Sequence, residues 1–300
     1  MHIHQKSEHL FLIDLDQEIE GFRQFISAWV YQGHKRTLLI DPGPASTIPI
    51  LKEALRELQV NWLDYILLTH IHIDHAGGTG LLMSQYPEAR VACHPKGISH
   101  MINPDKLWQG SLKVLGKIAE TYGSIAPVRE NLISYPDKIE KGSLEVNIFE
   151  TPGHASHHLS YLVDGILFLG EAAGVNITLE NDFYLRIATP PKFNYEVYKE
   201  SLFKASKLDC DRICFGHYDM REDVQNVFNK AKDQLELWMD VTRRHFENSK
   251  IANAENIFNE LVESDPCIKA FGKLEKDVQK RERYFALNSI NGMLGYLAGS

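Results

Sequence analysis

Cysteine is scarce in this sequence, with four in 300 residues. The four lie at Cys93, Cys210, Cys214 and Cys267, and their spacing forms neither a disulfide framework nor a zinc ribbon. No apolar run approaches the length of a membrane span, and the first residues carry no apolar signal region. We therefore predict a chain of the reducing cytoplasm without a membrane segment.

Clustered basic residues are also missing. The net charge is −8, and the lysines and arginines form no patch that would follow a nucleic-acid backbone. Apolar residues are abundant, at 44% of the chain, which is enough for a large core. The expected partner is a small-molecule substrate. Neither nucleic acid nor membrane is indicated, and a homodimer is left open.

The most informative stretch is residues 69–78, which read THIHIDHAGG. His70 and His72 are two residues apart and project to the same side of an extended segment. The apolar run before them predicts a buried strand that ends at this pair, and Asp74 stands where a helix can begin. Imidazole and carboxylate ligands together suit zinc, iron or manganese. We therefore predict a transition-metal site formed by these side chains and by His75.

Strand and helix patterns divide the chain. β-Branched and aromatic runs bounded by glycine and polar residues predict strands up to about residue 220. A helical insertion at about residues 95–135, with one helix-like run over residues 111–122, interrupts them. Apolar residues at helical spacing take over afterwards. We predict a domain over residues 1–220 and a helical appendage over residues 221–300. The appendage would pack on the domain, cover the pocket or make a dimer contact.

The metal-ligand loop, with the Asp-Pro-Gly-Pro segment before it, resembles the metallo-β-lactamase fold hydrolases over roughly residues 9–220. The resemblance implies an α+β fold, an αββα sandwich of two sheets flanked by helices. It also implies three more metal ligands, and candidates follow in the family's order at His154, Glu171 and His217. The family usually has Asp where this chain has Glu171.

The resemblance further implies a site for two metal ions. One ion would be held by His70, His72 and His154, and the other by Asp74, His75 and His217. Glu171 would bridge the two ions. Two divalent ions are therefore the expected cofactors, with zinc as the first expectation and iron or manganese left open. Asp41 and His158 are implied as supports that hold ligands in place, although a plain turn also explains Asp41.

The activity that the resemblance implies is hydrolysis by a metal-bridging hydroxide of a small ester, thioester, lactone or phosphodiester. Asp74 would pass a proton from the attacking water to the leaving group. Tyr184 and Arg186 are candidates to bind the substrate, and packing roles explain both equally well. Two other functions stay open, namely a non-haem iron enzyme that uses oxygen or a persulfide, and a metal-binding member without catalysis. No motif identifies the substrate.

Overall fold

The computed structural model of the chain describes residues 2–179, 182–248 and 253–299. Its strands and helices follow in chain order: β1 (Ile3–Gln5), β2 (Leu10–Asp14), β3 (Ser27–Gly33), β4 (Arg36–Ile40), α1 (Ile48–Glu57), β5 (Tyr65–Leu67), α2 (Ile73–Ala76), α3 (Thr79–Leu82), β6 (Arg90–Ala92), α4 (Pro95–Ile102), α5 (Asp105–Leu115), α6 (Lys117–Tyr122), β7 (Ile133–Ser134), β8 (Lys138–Lys141), β9 (Leu144–Glu150), β10 (Leu159–Val163), β11 (Ile166–Gly170), β12 (Val175–Leu179), β13 (Asp182–Arg186), α7 (Tyr195–Ala205), β14 (Arg212–Phe215), β15 (Met220–Arg221), α8 (Val224–Asn248), α9 (Ala254–Ser264) and α10 (Lys276–Leu297). Within these ranges no helix has both the length and the apolarity needed to cross a membrane.

The first sheet contains β1 to β7 in sequence order. Its first four strands pair antiparallel, and β4, β5, β6 and β7 pair parallel. β5 lies inside the sheet between β4 and β6, with Leu67 paired to Ile40 on one side and to Ala92 on the other. Because β5 ends at Leu67, the chain leaves the middle of the sheet just before the predicted ligand loop.

The second sheet has the strand order β15, β14, β11, β10, β9, β8, and β12 and β13 form a separate antiparallel ribbon. β11 pairs antiparallel with β10 and parallel with β14. The turn between β10 and β11 is Asp164-Gly165, with φ of +47° and +72°, the left-handed backbone of a two-residue hairpin turn. β11 ends directly before the predicted ligand Glu171, and β14 ends two residues before the predicted ligand His217.

Side-chain alternation along the strands separates the inner core from the outer ones. On β3, Trp29 and Tyr31 pack between the two sheets, whereas Ala28 and Val30 pack against the helices outside the first sheet. The strands of the second sheet alternate in the same way between the inner core and an outer helical core. The predicted αββα sandwich, with its helical insertion and its C-terminal helices, is confirmed.

The insertion between β6 and β7 contains α4, α5 and α6. The sequence indicated one helical run over residues 111–122, but the run is broken at Gly116, where φ is +55°. Glycine takes such a backbone without the steric cost that a Cβ brings. Two short helices therefore replace the single expected one, and α5 is free to take its own orientation.

The C-terminal helices pack on the outer face of the second sheet. Phe215 of β14 shares one core with Trp238 of α8 and Ile290 of α10. Packing on the sandwich is therefore one of their roles, and α10 also reaches the cavity described below. The division into two domains at residue 220 stays a prediction.

A buried ion-pair network joins α10 to β13. Glu282 Oε2 accepts a hydrogen bond from Arg186 Nε at 2.6 Å, and Glu282 Oε1 accepts one from Arg281 Nε at 3.0 Å. Burial alone would raise the pKa of Glu282, but the two guanidiniums lower that pKa below its usual value, so the carboxylate stays ionised. Two buried cations share this anion, so its loss would leave both without a counter-charge.

We predict that Glu282→Ala lowers the free energy of unfolding by about 3–5 kcal/mol, the usual cost of removing one partner from a buried ion pair. Urea unfolding followed by circular dichroism measures the change. The matched control is Glu20→Ala, which breaks an exposed ion pair with Lys280 of α10. The distance from Glu20 Oε1 to Lys280 Nζ is 2.8 Å. That change should cost at most about 1 kcal/mol. Equal effects of the two substitutions would contradict the role given to Glu282.

Candidate metal centre

His70, His72 and His154 converge at one end of the sandwich. His70 follows β5, His72 is the N-cap of α2, and His154 lies between β9 and β10. His72 Nδ1 lies 3.0 Å from His70 Nε2 and 2.9 Å from His154 Nε2. Nitrogens around one tetrahedral ion, with bonds of about 2.0–2.1 Å, stand ~3.3 Å apart. The three nitrogens are therefore spaced to hold a single ion.

Asp74, His75 and His217 form a second group beside the first. Asp74 Oδ2 lies 3.7 Å from His75 Nε2 and 4.0 Å from His217 Nε2. Asp74 and His75 are carried by α2, and His217 follows the end of β14. The ring of Phe25 stacks on His217 with 4.1 Å between centroids and 18° between planes, which fixes the orientation of that imidazole.

Glu171 stands between the two groups. Its Oε2 lies 3.1 Å from His154 Nε2 in the first group and 3.3 Å from His75 Nε2 in the second. Its Oε1 lies 3.2 Å from His217 Nε2. The carboxylate thus reaches both groups. Glu is one methylene longer than the Asp that the family usually has, and the longer side chain still fits between the groups. This is the position that a bridging ligand would occupy.

The backbone at Glu171 is held by His158. Its Nε2 accepts a hydrogen bond from the Glu171 N–H at 3.1 Å, and its Nδ1 lies 2.9 Å from Thr151 Oγ1. Gly170 has φ +60°, and a Cβ on it would lie 2.4 Å from His158 Nε2. A side chain at position 170 would therefore displace either His158 or the strand end that carries Glu171.

Asp41 supports two of the predicted ligands from behind. Its carboxylate accepts hydrogen bonds from Thr69 N at 2.8 Å, from Thr69 Oγ1 at 2.6 Å and from His75 Nδ1 at 3.2 Å. Since the Thr69 hydroxyl proton is used in this way, Thr69 Oγ1 accepts from His70 Nδ1 at 3.0 Å. Asp41 itself has φ +50°, so it lies in a tight turn and also holds ligands. The two interpretations of Asp41 are thus compatible.

Backbone carbonyl groups hold two further imidazoles. His154 Nδ1 donates to Ala188 O at 3.1 Å, and His217 Nδ1 donates to Phe25 O at 3.2 Å. A hydrogen bond from Nδ1 to an acceptor fixes the tautomer and leaves Nε2 free to bind a metal. His70, His75, His154 and His217 all have this arrangement.

Burial and neighbouring charges shift the pKa values of the cluster in different directions. Burial lowers the pKa values of His70, His72 and His154, so these imidazoles are neutral at pH 7 and can act as ligands. Burial alone would lower the pKa of His75. The carboxylates of Asp74, Asp41 and Glu171 together have the larger effect and hold the pKa of His75 well above its usual value. The facing imidazoles hold the pKa of Glu171 well below its usual value in spite of burial.

One buried atom in the cluster lacks a partner. His75 Nε2 has no hydrogen bond within residues 2–179, 182–248 and 253–299, and its 3.3 Å approach to Glu171 Oε2 lacks hydrogen-bond geometry. An unpaired buried nitrogen costs free energy unless something binds to it. The donor atoms of each group lie within 4.8 Å of one another, so the residues present fit two transition-metal ions.

The predicted ligands form the floor of a cavity of about 510 Å³. The cluster residues that border it are His72, Asp74, His154, Glu171 and His217. Its walls come from α5 in the insertion, from α10 in the C-terminal region and from the segment after β13. α10 therefore borders the pocket as well as packing on the sandwich.

Tyr184 and Arg186 occupy different positions. Arg186 borders the cavity, although its guanidinium is buried and paired with Glu282. Tyr184 is fully buried in the outer core and is absent from the described lining of the cavity. Burial holds the pKa of the Tyr184 hydroxyl well above its usual value. Substrate contact by either residue stays a prediction.

Sequence reasoning missed several residues that border the cavity, among them Phe25, Tyr122 and His157. The ring of His157 lies 6.0 Å from that of His72, and burial lowers the pKa of His157 to about 4. Its place three residues after His154 was the only available signal. Phe25 and Tyr122 are indistinguishable in the sequence from ordinary apolar core residues.

Comparison with known proteins agrees with this geometry. Residues 21–217 match the family described as the metallo-beta-lactamase superfamily. A metallo-beta-lactamase fold-containing protein of Sulfurisphaera tokodaii is 30% identical over 229 residues, which cover 72% of this chain and 84% of that protein. The chain belongs to the metallo-beta-lactamase superfamily.

Two further similarities bear on fold and activity. A hydroxyacylglutathione hydrolase of Photobacterium profundum is 29% identical over 155 residues, which cover 52% of this chain and about half, 49%, of that enzyme. The crystal structure of a metallo-beta-lactamase family protein from Thermus thermophilus has a TM-score of 0.68 at 18% identity, covering 98% of this chain and 95% of that one. The latter similarity supports the fold alone.

We predict that the protein purified without chelator contains about two transition-metal ions per chain, because seven ligand candidates exceed the four that one tetrahedral ion uses. Elemental analysis of the purified protein measures the content. A value of at most one ion per chain, even after soaking in excess zinc, manganese or iron, would contradict a site for two ions.

We predict that Glu171→Ala lowers the content by about one ion per chain, since its carboxylate is the side chain that reaches both groups. Glu171→Asp should preserve the occupancy of the weaker site or raise it. The matched control is Glu150→Ala, which removes a half-exposed carboxylate at the end of β9 and should leave the metal content unchanged. An Ala variant that keeps both ions would show that Glu171 is not a ligand.

Proposed function

We propose that the protein is a dinuclear metal-dependent hydrolase of a small ester, thioester, lactone or phosphodiester. The observation that carries this proposal is the position of Glu171 between two groups of ligand side chains at the floor of a cavity. Membership of the superfamily and the similarity to a hydroxyacylglutathione hydrolase support hydrolysis as the reaction class.

The ligand side chains set the geometry of the proposed reaction. His70, His72 and His154 would hold one ion, and Asp74, His75 and His217 the other, with Glu171 in contact with both. Two bound ions would lower the pKa of water to near 7, from about 15.7, and polarise the scissile carbonyl or phosphoryl group. The hydrogen bonds at the outer nitrogens keep the imidazoles in place, so little reorganisation is needed when substrate binds.

Asp74 is the proposed proton carrier. Its side chain is 18% exposed and borders the cavity, whereas Glu171 is 5% exposed. Oδ2 of Asp74 lies 3.7 Å from His75 Nε2 and 4.0 Å from His217 Nε2. We propose that the carboxylate accepts a proton from the attacking water and delivers it to the leaving group.

Arg186 is proposed to orient the substrate from the side wall of the cavity. Its guanidinium is fixed by Glu282, which balances its charge, so it would offer a preorganised N–H donor rather than a free positive charge. Tyr184 would act on the substrate only indirectly, through its packing beside this pair.

We predict that His72→Ala lowers kcat/KM for an activated ester at least about a hundredfold, because even residues that only support metal ligands contribute 10- to 100-fold. Turnover of p-nitrophenyl acetate and of bis(p-nitrophenyl) phosphate, with circular dichroism of the same samples, measures activity and folding. The matched control is His245→Ala, which removes an imidazole from the far end of α8 and should leave turnover unchanged.

Each outcome of this experiment is informative. Wild-type turnover in a folded His72→Ala protein would contradict its role as a ligand. Consumption of oxygen in place of hydrolysis would favour the iron-dependent alternative. Metal binding without turnover of any ester or phosphodiester would favour a member of the family without catalysis.

A further inference from the structure

The polarity of the cavity changes with distance from the predicted ligands. Its floor consists of imidazoles and carboxylates, whereas its upper walls are mainly apolar. The apolar part of the wall is formed by Leu107, Val114 and Leu115 of α5, by Phe285 of α10 and by Pro190 and Pro191. The same elements also contribute polar lining residues, namely Lys106, Ser111, Thr189, Asn288 and Ser289.

α5 carries apolar residues that the protein covers only in part. None of its residues, all of which the structure describes, is buried. Leu107 and Leu115 pack partly against the outer core of the first sheet, and Val114 is 63% exposed at the cavity. Apolar surface that faces a cavity beside a reaction site is stabilised when an apolar ligand covers it.

The charges at the cavity do not suit a strongly anionic substrate. Among the described residues that line the cavity, Lys106 and Arg186 are the lysine and arginine side chains. The Arg186 charge is already paired with Glu282 at 2.6 Å. A glutathione thioester carries two carboxylates and would find one uncommitted cation. The wall therefore favours a substrate whose body is uncharged.

We infer that the substrate is an ester or thioester of an apolar acyl group, with its carbonyl at the ligand cluster and its acyl chain between α5 and α10. This inference rests on the proposed hydrolase function and specifies its substrate class. In the reaction the water oxygen adds to the carbonyl carbon and the carbon–oxygen or carbon–sulfur bond breaks. The water proton goes to the leaving alcohol or thiol, so no further reactant is needed.

The first test compares acyl chains of two to eight carbons as p-nitrophenyl esters and as thioesters of an uncharged thiol, with the metal-loaded protein. We expect kcat/KM to rise by about fourfold for each added methylene until the cavity is filled, which corresponds to about 0.8 kcal/mol per methylene. S-Acetylglutathione should be a poorer substrate than the octanoyl thioester of the uncharged thiol.

A pair of matched substitutions tests whether the dependence of kcat/KM on acyl-chain length arises at the cavity wall. Val114→Asp places a charge on the cavity wall, and Val197→Asp places the same charge on α7, away from the cavity. Val114→Asp should lower kcat/KM for the octanoyl ester at least about fourfold, the effect of one lost methylene, and should change the acetyl ester much less. Val197→Asp should change neither.

A binding measurement gives a readout that does not depend on turnover. Calorimetric titration with octanoate and with acetate should show tighter binding of octanoate, and Val114→Asp should abolish the difference. Hydrolysis that does not depend on chain length, or that is best with S-acetylglutathione, would overturn the inference and leave the proposed hydrolase function intact. Absence of hydrolysis of every ester and thioester, with bis(p-nitrophenyl) phosphate still hydrolysed, would likewise overturn the inference alone. Absence of hydrolysis of every ester, thioester, lactone and phosphodiester would overturn the proposed function itself, and the inference with it.

Discussion

The structure at the mouth of the sandwich depends on holding five imidazoles and two carboxylates close together in a buried place. The ligand atoms within each group lie no more than 4.8 Å apart. Such a cluster would separate or take up protons unless most of its members were held from behind. Asp41, Thr69 and two backbone carbonyl groups hold the outer nitrogens, and His158 holds the strand end at Glu171. The candidate metal-binding atoms are thus preorganised by hydrogen bonds that point away from the centre of the cluster.

The C-terminal helices take part in this support. Arg281 of α10 lies over the ring of Phe25, 4.0 Å from its centroid, and Phe25 stacks on His217. Arg281 also shares Glu282 with Arg186, which borders the cavity. A continuous set of contacts therefore leads from α10 to a predicted ligand. The helices that looked like an appendage in the sequence pack against the site as well as against the second sheet.

Membership of the superfamily defines the fold and the kind of site, but the wall of the cavity determines what can enter it. In this chain that wall comes from α5, from the segment after β13 and from α10. The floor supplies the reactive groups and the wall supplies shape and polarity. A relative with the same ligand set and a different insertion would therefore present a different surface to its substrate. The proposed reaction class and the inferred acyl specificity accordingly rest on separate parts of the molecule.

The sequence by itself determined the strands, the helices and the four ligand candidates of the loop, because these depend on local patterns, and the resemblance to a family implied their arrangement as a sandwich. Strands that alternate or run apolar, and a loop with His70, His72, Asp74 and His75 within six residues, carry their meaning in neighbouring positions. The resemblance to a family then supplied three candidates far along the chain. Local patterns also indicated one helix where the structure has α5 and α6, since a single glycine in helical spacing does not reveal its own backbone angle.

Only the tertiary structure decided which residues from distant segments surround the ligands. Phe25, Tyr122 and Phe285 look like ordinary core residues in the sequence, and their place at the cavity follows from how three separate segments pack. The pairing of Arg186 with Glu282, 96 residues apart, likewise has no local signal. The spacing of the four ligand candidates in the loop is encoded in a short motif because a metal ion requires fixed geometry. The cavity wall arises from long-range packing, and no short stretch of sequence specifies it.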